Sequence, residues 1–343
     1  MADLGMMTRK ADRLALERAP LVDTHQRRIT YLRLSVTDRC DLRCTYCMPE
    51  EGLDWTPRED LLTFEEIERL ASLLVKRFGV ESIRLTGGEP TVRANLADLI
   101  SRLSQLPVDL SMTTNGVTLP LMAEKLKAAG LNRINISLDS LHRDRFNDLT
   151  RRDNLEQVLE GIDAARVAGF DPVKINMVVM KGINDDEILD FVEFGREKRV
   201  TVRFIEFMPL DADEEWSNDR VMSLTEILKL ISSHHEIVPL QRGNAPAARW
   251  KYADGAGEIG VIATVTEAFC DSCDRIRLTA DGKFRNCLFA LKDYDMRNLL
   301  RNGATDDDIA NLFVSGVQEK WAGHQIGKSV FIRPSKSMSQ IGG

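Results

Sequence analysis

The sequence has no long apolar run, no surplus of positive charge and no low-complexity segment. None of its 343 residues belongs to a stretch approaching the roughly 20 apolar residues that a membrane-spanning helix needs. Its 46 Lys and Arg against 53 Asp and Glu give a net charge of −7, which disfavours general binding to nucleic acid, because phosphate contacts need excess cations. The charged N-terminal segment lacks the apolar core of a secretory signal. We therefore expect a cytoplasmic globular protein with no membrane or nucleic-acid partner.

Cysteine is scarce, but all six cysteines fall into two triplets, Cys40, Cys44, Cys47 and Cys270, Cys273, Cys287. Disulfides are disfavoured in a large chain with no secretory signal. Neither triplet contains the fourth ligand of a structural zinc site or of a closed iron–sulfur cube. The five histidines are distant in sequence from both triplets, so zinc with a ligand delivered by the fold stays an alternative. A cube held by three thiolates has one open iron, which can bind a substrate or cofactor.

Strand-like and helix-like segments alternate from Tyr31 to about His235. Between the strands lie amphipathic helices, one opening with a Thr63/Glu66 capping box and another with Ser223/Glu226. Six successive βα units favour a parallel sheet that curls into a partial (β/α)6 barrel, open on one side. The predicted strands are 31–37, 82–88, 108–116, 133–140, 173–180 and 201–209.

Polar residues fall at the carboxyl ends of four of these strands. They are Thr86–Glu89, Thr113–Asn115, Ser137–Asp139 and Glu206–Met208. Each group alone is typical of turn chemistry. The carboxyl ends of parallel barrel strands meet at one rim, and the first cysteine triplet follows the first strand at the same rim. These polar residues and the cysteines together therefore predict a site there.

The pattern changes after about residue 240 to loops and short strands. RIRLTADGKFRNCLF predicts a β-hairpin about Asp281-Gly282 that brings Cys287 level with Ile276, close to Cys273. We accordingly divide the chain into an N-terminal extension (1–26), a partial barrel (27–240) and a C-terminal region with the second cysteine triplet and the tail (241–343).

CDLRCTYC, with an aromatic residue before its last cysteine, and GGEP (87–90) resemble the CxxxCxxC loop and following motif of radical S-adenosylmethionine (SAM) enzymes. From about residue 27 onward the chain is more narrowly similar to the GTP 3′,8-cyclase (MoaA-type) family of molybdenum cofactor biosynthesis. The stretches that carry this similarity include LRLSVTDRC, RCTYCMP, IRLTGGEP, INISLDS, KGINDD, RFIEFMP and FCDSCDRIRLTADGKFRNCLF.

The resemblance implies a lyase with two [4Fe–4S] clusters and SAM, whose 5′-deoxyadenosyl radical removes hydrogen from C3′ of GTP. Attack on C8 then gives 3′,8-cyclo-7,8-dihydro-GTP. The first triplet would hold the SAM cluster and the second the auxiliary cluster that binds guanine. The SAM pocket would be lined by Tyr46, Gly88, Ser137 and Met208. Arg33, Arg275 and Arg277 would be catalytic, and the GTP contacts would be Arg33, Arg84, Thr113, Lys174, Arg275, Ile276 and Arg277.

Two of these implications have independent support in the residues. Arg275 and Arg277 alternate on a strand and so share one face, and guanidinium groups pair well with phosphate oxygens. Arg33 and Lys174 lie within otherwise apolar strands. The C-terminal segment SMSQIGG is typical of a frayed terminus, whereas the resemblance implies that its two glycines reach the active site.

The sequence leaves three alternative functions open, and several partners are expected. A radical SAM peptide modifier would commonly carry more C-terminal cysteines, and an electron-transfer or zinc-structured binding module would not need GGEP. The expected partners are GTP, an external electron donor and, in the pathway, a downstream cyclic pyranopterin monophosphate synthase. A homodimer is an open expectation.

Overall fold

The structure is a computed structural model that describes residues 19–211 and 216–342. Most of the predicted N-terminal extension therefore lies outside the described residues. Its last part is joined to the barrel by an antiparallel bridge between Val22 and Arg28. Within the described part of the chain, no helix has both the length and the apolar character to cross a bilayer.

Twelve strands of the described chain form one continuous sheet in the order β12-β11-β10-β1-β2-β3-β4-β5-β6-β9-β8-β7. The eight strands from β10 through β1–β6 to β9 are parallel. The bounds are β1 Tyr31–Ser35, β2 Ser82–Thr86, β3 Asp109–Thr114, β4 Arg133–Ser137, β5 Lys174–Val179, β6 Thr201–Glu206, β7 Ile237–Leu240, β8 Ala248–Tyr252, β9 Glu258–Ile262, β10 Arg275–Leu278, β11 Lys283–Arg285 and β12 Tyr294–Asp295. All six predicted strands are confirmed.

Helices connect the parallel strands, and their ends follow the sequence signals. Both predicted capping boxes, Thr63 with Glu66 and Ser223 with Glu226, are present. The α-helices are α1 Phe64–Phe78, α2 Leu96–Leu103, α3 Leu119–Ala128, α4 Arg143–Thr150, α5 Leu155–Val167, α6 Ile188–Lys198, α7 Leu224–Ser232, α8 Met296–Arg301, α9 Asp306–Gln318 and α10 Met338–Ile341.

The parallel strands have one apolar and one polar face. On β1, for example, Leu32 and Leu34 are fully buried in the main hydrophobic core, while Tyr31 and Arg33 point to the opposite face. The polar faces approach one another, since Tyr31 on β1 and Arg84 on β2 both affect the pKa of Arg203 on β6. In a flat sheet β1 and β6 would lie about 24 Å apart, at about 4.8 Å per strand. The sheet therefore curls into the predicted partial barrel, and its polar faces enclose a lumen.

The predicted hairpin forms, but its register differs by one residue from the prediction. Arg277 pairs with Arg285 and Leu278 with Phe284, so the turn is centred on Asp281. If this register is continued two residues beyond the pair of Arg277 and Arg285, Cys287 lies opposite Arg275 rather than Ile276. The cause is a turn with Gly282 in the left-handed conformation (φ 78°), which adds one residue to the two-residue turn assumed from the sequence.

The C-terminal region also extends the partial barrel at both edges. β10 adds to the free edge of β1, and β9 adds to the free edge of β6, both in parallel. The predicted boundary near residue 240 falls at the end of β7, within the continuous sheet. The division into three segments stays a prediction.

Candidate active site

The first cysteine triplet lies in the loop that follows the carboxyl end of β1. The loop turns tightly at Cys44, whose carbonyl accepts hydrogen bonds from the main chain of Cys47 (2.9 Å) and of Met48 (3.0 Å). Burial raises the pKa of the Cys44 thiol, and the neighbouring Cys47 and Cys40 raise it further. The three sulfur atoms therefore lie within electrostatic reach of one another, and all three cysteines are free thiols.

GGEP holds this loop through main-chain contacts. The main chain of Gly88 donates to Thr37 (2.8 Å), and that of Glu89 donates to Arg39 (2.7 Å). A Cβ atom on Gly88 would lie 2.4 Å from the carbonyl oxygens of Asp38 and Arg39, a distance that no side chain tolerates. Glycine is required here because the end of β2 and the cysteine loop are in direct backbone contact.

Two buried carboxylates fix the surroundings of the first triplet. Glu89 accepts hydrogen bonds from Thr114 Oγ1 (2.7 Å) and from the main chain of Asn115 (2.6 Å), which joins the ends of β2 and β3. Asp139, which follows β4, accepts a hydrogen bond from the hydroxyl of Tyr46 (2.6 Å). Burial raises the pKa of Glu89 to about 7 and that of Asp139 to about 6. The polar groups predicted at the ends of β2, β3 and β4 thus lie around the cysteine loop.

The C-terminal segment docks into the same region, up to Gly342. Ser339 is buried and hydrogen-bonds Cys47, and the Gly342 carbonyl accepts a hydrogen bond from Arg277 Nη1 (2.6 Å). Gly342 has φ 84°, and a Cβ there would lie 2.8 Å from Thr86 Oγ1. The segment is therefore packed up to Gly342 rather than frayed. Gly343 lies outside the described residues.

The second triplet lies at the other end of the strands. Cys273 precedes β10 by two residues, and Cys287 follows β11 at the same edge of the sheet. Cys270 is held by Arg27, whose Nη1 donates to the carbonyls of Cys270 and Ala322, both at 2.7 Å. Burial raises the pKa of the Cys273 thiol, but Arg275 and Lys320 outweigh it and lower that pKa to about 7. The cations beside Cys273 therefore favour its thiolate, which is the form that binds metals.

The two triplets flank the lumen from opposite ends. Tyr31 pairs with Arg275, so Cys273 lies below the start of β1, whereas Cys40 lies beyond its end. The four residue steps of β1 alone span about 13 Å at about 3.3 Å per residue. Among residues 19–211 and 216–342, no three His, Cys, Asp or Glu side chains converge as the ligands of a single ion would. The thiolates that hold an iron–sulfur cube need not converge in this way, because each binds a different iron at a separate corner of the cube.

Cationic side chains line the lumen between the triplets. Arg277, Arg33 and Arg84 are in register across β10, β1 and β2. We call the full set the lumen cations: Arg33, Arg84, Arg133, Lys174, Arg203, Arg249, Arg275 and Arg277.

Burial and mutual repulsion lower the pKa values of several lumen cations. The pKa of Arg33 and that of Arg203 fall to about 10, and the pKa of Lys174 falls to about 7. Three of the set lie beside carboxylates in the described part of the chain, Arg133 beside Asp109, Arg249 beside Glu258 and Arg275 beside Asp274. The lumen therefore favours a ligand that carries several negative charges.

Unpartnered polar atoms also face this space. Within the described residues, the Nε atoms of Arg203 and Arg249 and the Oδ1 atom of Asn176 are buried with no hydrogen-bond partner. Buried polar atoms without partners are costly, so these positions are suited to a polar ligand.

The structure places the predicted site residues at two levels. Tyr46, Gly88, Ser137 and Met208 follow or end β1, β2, β4 and β6 at the rim with the first triplet. The predicted GTP contacts lie in the lumen, with one exception. The side chain of Ile276 is fully buried in the hydrophobic core on the opposite face of β10, beside Leu32. Only its main chain remains available to a ligand.

Sequence reasoning missed Arg133, Arg203 and Arg249. The sequence carries a signal for Arg203, which occupies a polar position in the alternating strand TVRFIE. Taken singly, each arginine was indistinguishable from a solvated surface charge.

Comparison with known proteins agrees with this geometry. Residues 34–195 match the Radical SAM superfamily, and residues 200–326 match Molybdenum Cofactor Synthesis C. The GTP 3′,8-cyclase of Streptomyces coelicolor is 47% identical, over 94% of this chain and 96% of its own. That of Rhodopirellula baltica is 46% identical, over 99% of this chain and 95% of its own. The chain belongs to the GTP 3′,8-cyclase family.

A solved structure supports the fold of this GTP 3′,8-cyclase family member. Streptococcus suis SuiB bound to S-adenosylmethionine superposes with a TM-score of 0.60 at 13% identity, covering 91% of this chain and 78% of that one. At this identity the likeness shows a shared radical SAM fold alone. Membership of the family makes the chain a radical SAM enzyme whose cofactors are SAM and iron–sulfur clusters.

Proposed function

We propose that the chain cyclises GTP in the barrel lumen, between two three-cysteine cluster sites. The reaction of the family is the radical SAM-dependent conversion of GTP to 3′,8-cyclo-7,8-dihydro-GTP, the first step of molybdenum cofactor biosynthesis. Cys40, Cys44 and Cys47 would hold the cluster that binds SAM. Cys270, Cys273 and Cys287 would hold the auxiliary cluster.

The residues present fit both groups. Three coupled thiols on a loop fixed by Gly88 leave a fourth iron position open at the first site, and the cations beside Cys273 favour the thiolate at the second. When bound, the first cluster and SAM supply the radical chemistry. Tyr46, Gly88, Ser137 and Met208 are assigned to the SAM pocket because their elements end at this rim.

The lumen cations are assigned to GTP. Arg84 donates to Thr113 Oγ1 (3.3 Å), which orients two of the predicted contacts toward the same space. Arg203, with its unpartnered Nε, is added to Lys174 as a partner for the triphosphate. Arg33, Arg275 and Arg277 lie between the two ends of the lumen, where the guanine and ribose must meet, and would position these reacting parts.

The observation that carries this proposal is the register of β1 with β10, which sets a cationic lumen between the two triplets. The test is anaerobic reconstitution with iron and sulfide, followed by reaction with SAM, GTP and a reductant. A cyclised product with the mass of GTP, formed with 5′-deoxyadenosine, is expected. Formation of 5′-deoxyadenosine with no GTP-derived product would contradict the substrate assignment.

The remaining partners are proposals as well. An external electron donor must reduce the first cluster, and a downstream cyclic pyranopterin monophosphate synthase would consume the product. Homodimer formation and a cytoplasmic location stay predictions.

GTP affinity should depend on pH through Lys174. Burial, together with Arg203, Arg133 and Arg84, lowers its pKa to about 7, so a large fraction is neutral just above neutral pH. A bound triphosphate favours the charged form and raises this pKa, so binding takes up a proton and affinity falls as pH rises above about 7. Calorimetry of GTP binding in buffers of different ionisation enthalpy measures the uptake.

Two variants provide the comparison for this proton uptake. Lys174→Met removes the titrating group and should abolish the proton uptake, leaving only the proton release from the terminal phosphate of GTP, whose ionised form the cationic lumen favours. Lys174→Arg keeps its charge over the whole range and should flatten the pH dependence. Parental proton uptake in Lys174→Met would exclude Lys174 as its source.

Arg277→Ala should weaken GTP binding without affecting SAM cleavage in the absence of GTP. A charge-assisted hydrogen bond contributes about 1.5–3 kcal/mol, which corresponds to roughly ten- to hundredfold in affinity. Arg277 is only 8% exposed and also donates to Gly342, so docking of the C-terminal segment should loosen as well. Equilibrium binding of GTP measures the loss.

Arg166→Ala, on the outer helix α5, is the matched control and should retain parental affinity, because its side chain lies far from the lumen beside Asp163. A parental dissociation constant in Arg277→Ala would remove this residue from the GTP site.

A further inference from the structure

Lys320 is a buried lysine just beyond α9, and it bridges the two strands that carry the second triplet. Its side chain is almost completely enclosed, with the residue 3% exposed. Its Nζ donates to the main-chain carbonyls of Arg275 (3.0 Å) and Asn286 (2.5 Å). Arg275 follows Cys273 by two residues, and Asn286 immediately precedes Cys287. The ammonium group therefore lies between the segments that present two of the three cysteines.

No carboxylate within residues 19–211 and 216–342 pairs with this ammonium group. Burying a charge without an opposite charge is costly, even when main-chain carbonyls accept its hydrogen bonds. Cys273 and Cys287 lie beside the two carbonyls that Lys320 contacts, so thiolates that hold a cluster there would place negative charge close to the ammonium group. The second triplet is therefore suited to compensate the charge of Lys320, because the two segments that Lys320 bridges present two of its cysteines.

The first triplet has the opposite surroundings. Its neighbours are carboxylates, since Glu89 and Asp41 act on Cys40 and Asp139 acts on Cys44. A cation beside a cluster favours the more negative, reduced state, whereas carboxylates disfavour it. Charge and hydrogen bonding around the sulfur atoms are among the properties that set cluster potentials.

We propose that Lys320 is the counter-ion of the auxiliary cluster, a positioning residue that holds the Cys273 and Cys287 segments together and raises the reduction potential of the cluster between them. This inference rests on the proposed function, in which Cys270, Cys273 and Cys287 hold that cluster. It assigns Lys320 no contact with GTP or SAM.

The experiment measures the auxiliary cluster by itself. Lys320→Gln is made in a full-length Cys44→Ala background, which leaves one cluster per chain, and the protein is reconstituted anaerobically. Glutamine keeps hydrogen-bond donors for the two carbonyls but removes the charge. The midpoint potential is read by redox titration followed by electron paramagnetic resonance. Iron content and thermal unfolding are measured on the same samples.

Lys320→Gln should make reduction at least about tenfold less favourable, a shift of about 59 mV to more negative potential for one electron. Lys320→Arg, which keeps the charge, should have a midpoint potential close to that of the Cys44→Ala background. Lys292→Met is the matched control, because Lys292 is an exposed cation paired with Glu319, next to Lys320. Its potential should equal that of the background.

The outcomes distinguish failure of the role of Lys320 from failure of the cluster assignment on which it rests. If the Cys44→Ala background holds no cluster, the assignment of the second triplet fails. If it holds a full cluster and Lys320→Gln has the same midpoint, only the role of Lys320 is overturned. Loss of iron in Lys320→Gln that Lys320→Arg restores supports the counter-ion role, and equal loss in both variants refutes it.

Discussion

Cys44→Ala is expected to abolish 5′-deoxyadenosine formation while leaving the auxiliary cluster in place. Cys44 is the middle residue of the first triplet and is coupled electrostatically to both other thiols. Removing one of three thiolates leaves too few ligands for a cube with one open iron. The loop itself should persist, because the main chains of Arg43 and Thr45 donate to Thr150 and Leu149, both at 2.9 Å. Iron content should fall from about eight to about four atoms per chain.

Cys273→Ala is the reciprocal control for this experiment. It should lose the auxiliary cluster, retain SAM cleavage with a chemical reductant, and form no cyclised product. If Cys44→Ala still forms 5′-deoxyadenosine, the first triplet does not hold the cluster that binds SAM.

Deletion of Gly342 and Gly343 should remove most of the cyclised product while preserving the fold, both clusters and SAM binding. The Gly342 carbonyl accepts a hydrogen bond from Arg277, and its α-carbon is packed between Ser35 and Thr86 at the ends of β1 and β2. Without this segment, Arg277 loses a fixed partner and the rim of the lumen is open to water. Chromatographic separation of the product from unreacted GTP under single-turnover conditions, alongside 5′-deoxyadenosine, measures the loss.

The tail deletion needs a control in the chain just before the C-terminal segment. Ile332→Ala changes a side chain that is 64% exposed and should leave the product yield unchanged. A truncated enzyme that forms product at the parental rate would show that docking of the tail has no role in the reaction.

The local parts of the fold could be predicted because their causes are local. Alternation of apolar and polar residues marks the six strands, and Thr63 with Glu66 marks a helix start within four residues. The pairing of β9 with β6 and of β10 with β1 could not be predicted, because it joins segments far apart in sequence. The register of Cys287 was wrong by one place, since a single additional turn residue shifts every later pair.

The candidate site was likewise predictable only where its signal is local in the sequence. The cysteines and GGEP were found because their spacing is itself the signal. Lys320 and Arg203 were not, because a lysine after a helix and an arginine in a strand are ordinary residues until the fold buries them. The sequence-derived preference for a frayed C terminus was wrong for the described tail, because the pocket that receives Gly342 is built by strand ends more than 250 residues earlier.

The pairing of β1 with β10 has a consequence for how this enzyme can diverge. The separation of its two cysteine sites is set by main-chain hydrogen bonds along these strands, and side-chain substitutions leave such bonds in place. Substitutions in the lumen can therefore retune substrate affinity over evolutionary time without moving one site relative to the other. An insertion or deletion within Tyr31–Ser35 or Arg275–Leu278 would instead shift both register and separation, so these two short segments should tolerate no change of length.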